Sequence, residues 1–130
     1  MSPRFLAAEA ILAIHALHLD RTGGLQGIRD PGLLDSAVAQ PMATFGGAFL
    51  PEELFVMAAA YRFHIAKNHP FLDGNKRVGL AAALSFLEVN GVAIERPSAL
   101  LYDATIGVAE GRLGKEGLAG VFRRLAAPSG

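Results

Sequence analysis

The segment KNHPFLDGNKRVGL, residues 67–80, places one imidazole, one carboxylate, an asparagine and two adjacent cations around a proline and a glycine. Alanine- and leucine-rich sequence flanks it on both sides. A helix opening near Gly74 presents free N–H groups on its first turn, carrying the positive end of the helix dipole. Gly74 has no side chain to keep a ligand away from those groups. A phosphate at such a terminus is held by backbone donors before any side chain is counted. Lys76 and Arg77 fall in the same turn, where a cation opposes the dipole by a few tenths to ~1 kcal/mol. Two cations at the wrong end of a helix make sense when an anion fills the space between them.

The side chains divide by chemistry. His69 stands before the turn, and an imidazole of ordinary pKa near ~6.5 suits removal of a hydroxyl proton at neutral pH. Asp73 is a hard oxygen ligand of the kind that holds Mg²⁺ beside nucleotide phosphates. Asn75 can donate to a phosphate oxygen or orient a neighbour, Pro70 stiffens the turn, and Phe71 is expected to point inward as an anchor. Each also has an ordinary reading. Asp73 alone is as well explained as a helix cap, His69 as a packed or solvent-facing histidine, and Lys76 with Arg77 as a solvated helix face. Base, metal ligand, anion-binding helix end and two cations within nine residues point together to phosphate chemistry.

The elements that must position these groups are helical. Ser2 and Pro3 read as cap and first residue of a helix whose apolar positions Leu6, Ala10, Ile11, Ile14 and Leu17 share a face, ended by Gly23-Gly24. Asp30-Pro31 opens a second helix expected to stop before Pro41. Pro51, Glu52 and Glu53 begin a third, running to Lys67. The fourth starts near Gly74, carries Leu80, Leu84 and Leu87 on one face, and stops at Asn90-Gly91. Ser98 caps a fifth, ALLYDATIGVAE, and a sixth covers about Lys115 to Ala126. Strand patterning is confined to a short extended piece at Val92 to Glu95. The expectation is an all-α bundle of about six helices forming one domain over residues 1–130.

Composition sets the outer limits. At 52% hydrophobic and 18% charged the chain is neither disordered nor a charged tail. Its 12 basic and 12 acidic residues cancel, which argues against broad nucleic-acid binding but leaves room for a local cationic spot. The lack of cysteine removes disulfides and thiolate metal sites. Glu9, His15, His18 and Asp20 interrupt the N-terminal apolar run, so it reads neither as a targeting signal nor as a membrane span. A cytoplasmic protein without membrane association is expected.

HPFLDGNKR resembles the signature of Fic-domain proteins, His-Pro-Phe-x-(Asp/Glu)-Gly-Asn-Gly-Arg-x-x-Arg. Lys76, where that signature has its second glycine, is typical of the Doc ("death on curing") branch, the toxins of Phd–Doc-type toxin–antitoxin pairs. The likeness extends over GGLQGIRDPGLLDSAVAQPMATFGG and AAAYRFHIAKNHPFLDGNKRVGLAAALSFLEVNG, which together cover most of the chain from about residue 9 to 95. It implies a helical domain and an enzyme using ATP and Mg²⁺. The Fic branch mostly transfers AMP to a protein hydroxyl, whereas the Doc branch is understood to transfer the γ-phosphate to a threonine of elongation factor Tu, stopping translation. The lysine is held to fill the room needed by the rest of the nucleotide in AMP transfer, so that ATP binds reversed.

By the same resemblance His69 is the base, Asp73 holds Mg²⁺, Gly74 and Asn75 help form the anion-binding turn, and Lys76 and Arg77 grip phosphates. Two departures stand out: Leu80 replaces the second arginine of the Fic signature, and Val78 stands where Doc sequences commonly carry threonine. An alternative of another class is a non-catalytic module whose groove receives a Phd-like antitoxin segment that folds on binding. Outside the motif, Arg62 reads as solvent-facing or as a further phosphate contact, and His64 as buried and hydrogen-bonded. His15 and His18, three apart on one helix, can ligate a metal but lack a third ligand nearby. The segment PMATFGGAF reads as an ordinary connection or as a flap over the active mouth.

Overall fold

The computed structural model describes residues 3–25, 27–43, 53–94, 103, 107 and 111–126. Among them are five helices and no strand: α1 (Ala8–Thr22), α2 (Pro31–Ala43), α3 (Glu53–Asn68), α4 (Asn75–Val89) and α5 (Lys115–Leu125). The all-helical expectation holds. Of the helix expected after Ser98, only Asp103 and Gly107 are described, both helical; its remainder and the 44–50 part of the possible flap lie outside the described residues.

The central element is α3, which packs against α2, α4 and α5. Leu54, Met57, Ala58, Ala59, Tyr61 and Ile65 are buried along it, in one cluster with Val78, Ala82, Ala83, Phe86 and Leu87 from α4 and Leu118 and Phe122 from α5. The run of small alanines on both helices lets α3 and α4 approach closely. Contact is close at Gly79, where an added Cβ would lie 3.0 Å from the carbonyl oxygen of Arg62. Gly79→Ala is therefore expected to destabilise the fold. Overpacking costs about 1–3 kcal/mol and alanine regains only about 1 kcal/mol of helix propensity. Thermal denaturation should show the lower melting temperature.

Two helix ends differ from the sequence reading. α1 begins at Ala8 rather than Pro3, with an extended Ala7 before it. The backbone upstream is engaged elsewhere: Leu6 N–H donates to the Tyr61 hydroxyl at 2.7 Å, that hydroxyl donates to Leu6 carbonyl at 3.2 Å, and Arg4 pairs with the Asn90 side chain. Burial pushes the Tyr61 phenol up to about 12, against the opposing Leu6 hydrogen bond. The buried stripe of α1 is accordingly Ile11, His15 and Leu19, while Leu17 is 52% exposed. α2 continues through a buried Pro41 to Ala43, since a proline so near a helix end disturbs few hydrogen bonds. Asp30 caps its start by accepting the Leu33 N–H at 3.2 Å. The extended piece near Val92 is a single antiparallel bridge between Ile94 and Ala126, and Ile28 pairs likewise with Phe71.

Candidate active site

His69, Asp73, Gly74, Asn75, Lys76 and Arg77 line one cavity of about 350 Å³ at the junction of α3 and α4. Every site residue expected from sequence is thus brought to one place. Gly74 precedes α4 in the left-handed conformation (φ 78°), and a Cβ there would meet nothing within 4 Å. Its requirement is conformational rather than spatial. The first helical hydrogen bond of α4 runs from Val78 N–H to Gly74 carbonyl at 2.9 Å. The N–H groups of Asn75, Lys76 and Arg77 precede it, as in any helix start. Lys76 and Arg77 are exposed and pair with no carboxylate among the described residues.

The turn is braced from within and from without. Phe71 is fully buried, as its role of anchor requires. Asn75, 3% exposed, accepts the Phe71 N–H through Oδ1 at 2.9 Å and donates through Nδ2 to the Phe71 carbonyl at 3.0 Å. Its side chain orients a neighbour, and what it offers a ligand is its backbone. One oxygen of Asp73 accepts the Gly74 N–H at 2.8 Å, and the other lies 3.4 Å from the Leu25 nitrogen. Gly24 (φ 119°) leaves room for that carboxylate, since a Cβ there would stand 2.8 Å from Oδ2. Asp73 does not cap α4, whose N-cap is Gly74; bonding the Gly74 N–H and ligating a cation are compatible roles, because each carboxylate oxygen keeps a second lone pair.

His15 is the residue the motif alone does not reveal. It is 5% exposed, stacks on Phe71 with ring centroids 3.9 Å apart, and places Nε2 3.0 Å from the Asp73 carbonyl oxygen. A carbonyl only accepts, so Nε2 carries the proton. Its burial between α1 and the turn makes it a brace rather than half of a metal pair with His18; among the described residues no three His, Asp or Glu side chains converge on a metal. The helical register Ile11–His15–Leu19 was the available signal.

Two further expectations change. Arg62 is 1% exposed, neither solvent-facing nor at the cavity, because its side chain lies along the α3–α4 contact over Gly79. Burial lowers its pKa, and Nε and Nη1 have no hydrogen-bond partner among the described residues. Val78 is fully buried and absent from the cavity lining, so a residue at this position meets the core instead of a ligand.

His64 is hydrogen-bonded as expected: Lys115 Nζ lies 3.1 Å from its Nε2, and an ammonium only donates, so the ring is neutral. Burial first, then the charges of Lys115 and Lys67, push its pKa down to about 4. The unfolded chain therefore binds this proton more readily. Stability should be complete above about pH 6.5 and decline as pH falls toward about 4. His64→Gln should flatten that limb of a denaturation-versus-pH profile.

The Fic/DOC family model matches residues 5–87, well over half of the chain and all of the cavity. The chain belongs to the Fic/Doc family. It is 35% identical over 123 residues to "Protein kinase doc" of Escherichia phage P1, covering 94% of this chain and 95% of that one. It is 49% identical over 72 residues to "Toxin Doc" of Mycolicibacterium smegmatis, 55% of each. The Fic/Doc match thus takes in α1 through nearly all of α4, leaving α5 outside the family segment. No helix among the described residues is long and apolar enough to cross a membrane.

Proposed function

We propose that this chain is the toxin of a toxin–antitoxin pair, a protein kinase that moves the γ-phosphate of ATP onto a threonine of elongation factor Tu. The observation that carries the reading is the convergence, on one cavity, of His69, Asp73, the opening amides of α4 and two cations without carboxylate partners among the described residues. The names of the two relatives, one a protein kinase and one a toxin, support it.

In this reading the amides of Asn75, Lys76 and Arg77, with the two cationic side chains, hold the triphosphate tail. His69 takes the proton of the threonine hydroxyl as its oxygen bonds to the γ-phosphorus. The bond from that phosphorus to the bridging oxygen breaks, and ADP leaves. Phosphoryl transfer asks for little covalent help, so positioning and charge neutralisation supply most of the rate. A single carboxylate, Asp73, fits Mg²⁺ held chiefly through nucleotide phosphates; the ion would supply neutralisation of phosphate charge. A Phd-like antitoxin segment folding over the cleft would silence the enzyme.

The test is incubation with γ-labelled ATP, Mg²⁺ and elongation factor Tu, followed by mass spectrometry of the factor. One added phosphate on a threonine is the expected result. An added AMP would transfer the site to the adenylylating branch, and an unmodified factor would remove the assigned target.

A further inference from the structure

We propose that Arg29, outside the motif, is a positioning residue that holds His69 in the backbone conformation aiming its imidazole into the cavity. The inference rests on the reading of His69 as the base. Among the described residues His69 is the only non-glycine with positive φ, at 55°. The left-handed region costs an ordinary residue about 1–2 kcal/mol, and it persists only where the surroundings over-determine it. The following Pro70 adds to the difficulty, since a residue before proline favours extended backbone.

Both peptide planes flanking His69 are pinned. Its N–H donates to the Ile65 carbonyl at 3.1 Å, completing α3. Arg29 then takes the two carbonyls that follow: Nη2 donates to Asn68 at 3.0 Å and Nε donates to His69 at 2.7 Å. The Arg29 backbone N–H donates to the next carbonyl, Pro70, at 2.7 Å. Three successive carbonyls therefore answer to one residue. The two peptide planes fix φ and ψ at position 69, and these set the direction of its Cα–Cβ bond. The guanidinium charge also lies at the negative end of the α3 dipole, which strengthens the grip. Lysine cannot reproduce it, because the two carbonyls are met by separate nitrogens of a planar fork.

Arg29 is exposed, so replacing it leaves the core untouched. The experiment compares wild type, Arg29→Ala, Arg29→Lys, His69→Ala and the double variant Arg29→Ala/His69→Ala. Readouts are kcat and KM for ATP, together with the backbone coupling constant of residue 69 by NMR. Misplacing a base by about 1 Å costs ~10²-fold, so Arg29→Ala should lose roughly 10–100-fold in kcat with KM for ATP unchanged. Arg29→Lys should recover little of this, and the His69 coupling should leave its left-handed value in both. Adding Arg29→Ala to His69→Ala should lower the residual rate no further. A His69 coupling unchanged in Arg29→Ala overturns the proposal, as does an equal rate loss in the His69→Ala background. The NMR readout needs no activity, so a protein that transfers nothing would refute the kinase reading while the coupling constant still judged Arg29.

Discussion

Replacing His69 with glycine is expected to raise the melting temperature and, in the same molecule, to cut transfer by about 10²–10⁴-fold. His69 holds φ at 55°, which glycine adopts without the ~1–2 kcal/mol penalty borne by a side chain. Its imidazole is exposed at the cavity mouth, so little packing is lost with it. The Arg29 contacts go to carbonyls and survive the change. A net gain of about 1 kcal/mol is expected, read by thermal denaturation. Loss of a general base lowers the rate by about 10²–10⁴, read by label transfer and by recovery of growth on expression without antitoxin. The opposite signs are the point. On the proposed reading, a strained residue at a helix end where glycine is cheaper is kept for its side chain. A glycine variant that melted lower, or one that still arrested growth, would contradict this.

The turn before α4 is legible in the sequence because its elements announce themselves locally. Gly74 marks a left-handed position before α4, and the lysine–arginine pair sits where no structural preference would put it. Helix periodicity likewise identified α3, α4 and α5 to within a few residues. What stayed hidden depends on contacts between distant segments. Residues 27–30 reach across to 68–72 through backbone and guanidinium hydrogen bonds, and nothing in their own neighbourhood signals it. The start of α1 was lost for the same reason: Tyr61 and Asn90 claim the backbone near Leu6 and Arg4, overriding the Ser2-Pro3 cap signal. Arg62 is buried although its charge alone predicts exposure. Its long side chain is admitted by the missing Cβ of Gly79, a partner 17 residues away on another helix. Asn75 was read as ligand or brace, and only the pair of bonds to Phe71 decides what its side chain does.

The cations at the α4 start carry the second large expectation. Lys76→Gln with Arg77→Gln should stabilise the nucleotide-free protein while removing its response to nucleotide. Both charges lie in the first turn and have no carboxylate partner among the described residues, so each opposes the dipole by a few tenths to ~1 kcal/mol. Neutralising them should raise the melting temperature at low ionic strength, and salt should shrink the gain because exposed charges are screened. With Mg²⁺ and ATP the order reverses. Each lost charge-assisted contact to phosphate is worth about 1.5–3 kcal/mol, so the pair should weaken binding by at least ~10²-fold. Ligand stabilisation follows RT ln(1 + [L]/Kd), so the wild type should rise above the variant once nucleotide saturates it. Two melting curves, with and without nucleotide, crossing in rank would show why unpaired positive charge is retained at the positive end of a helix. Parallel curves would mean that these side chains hold no phosphate.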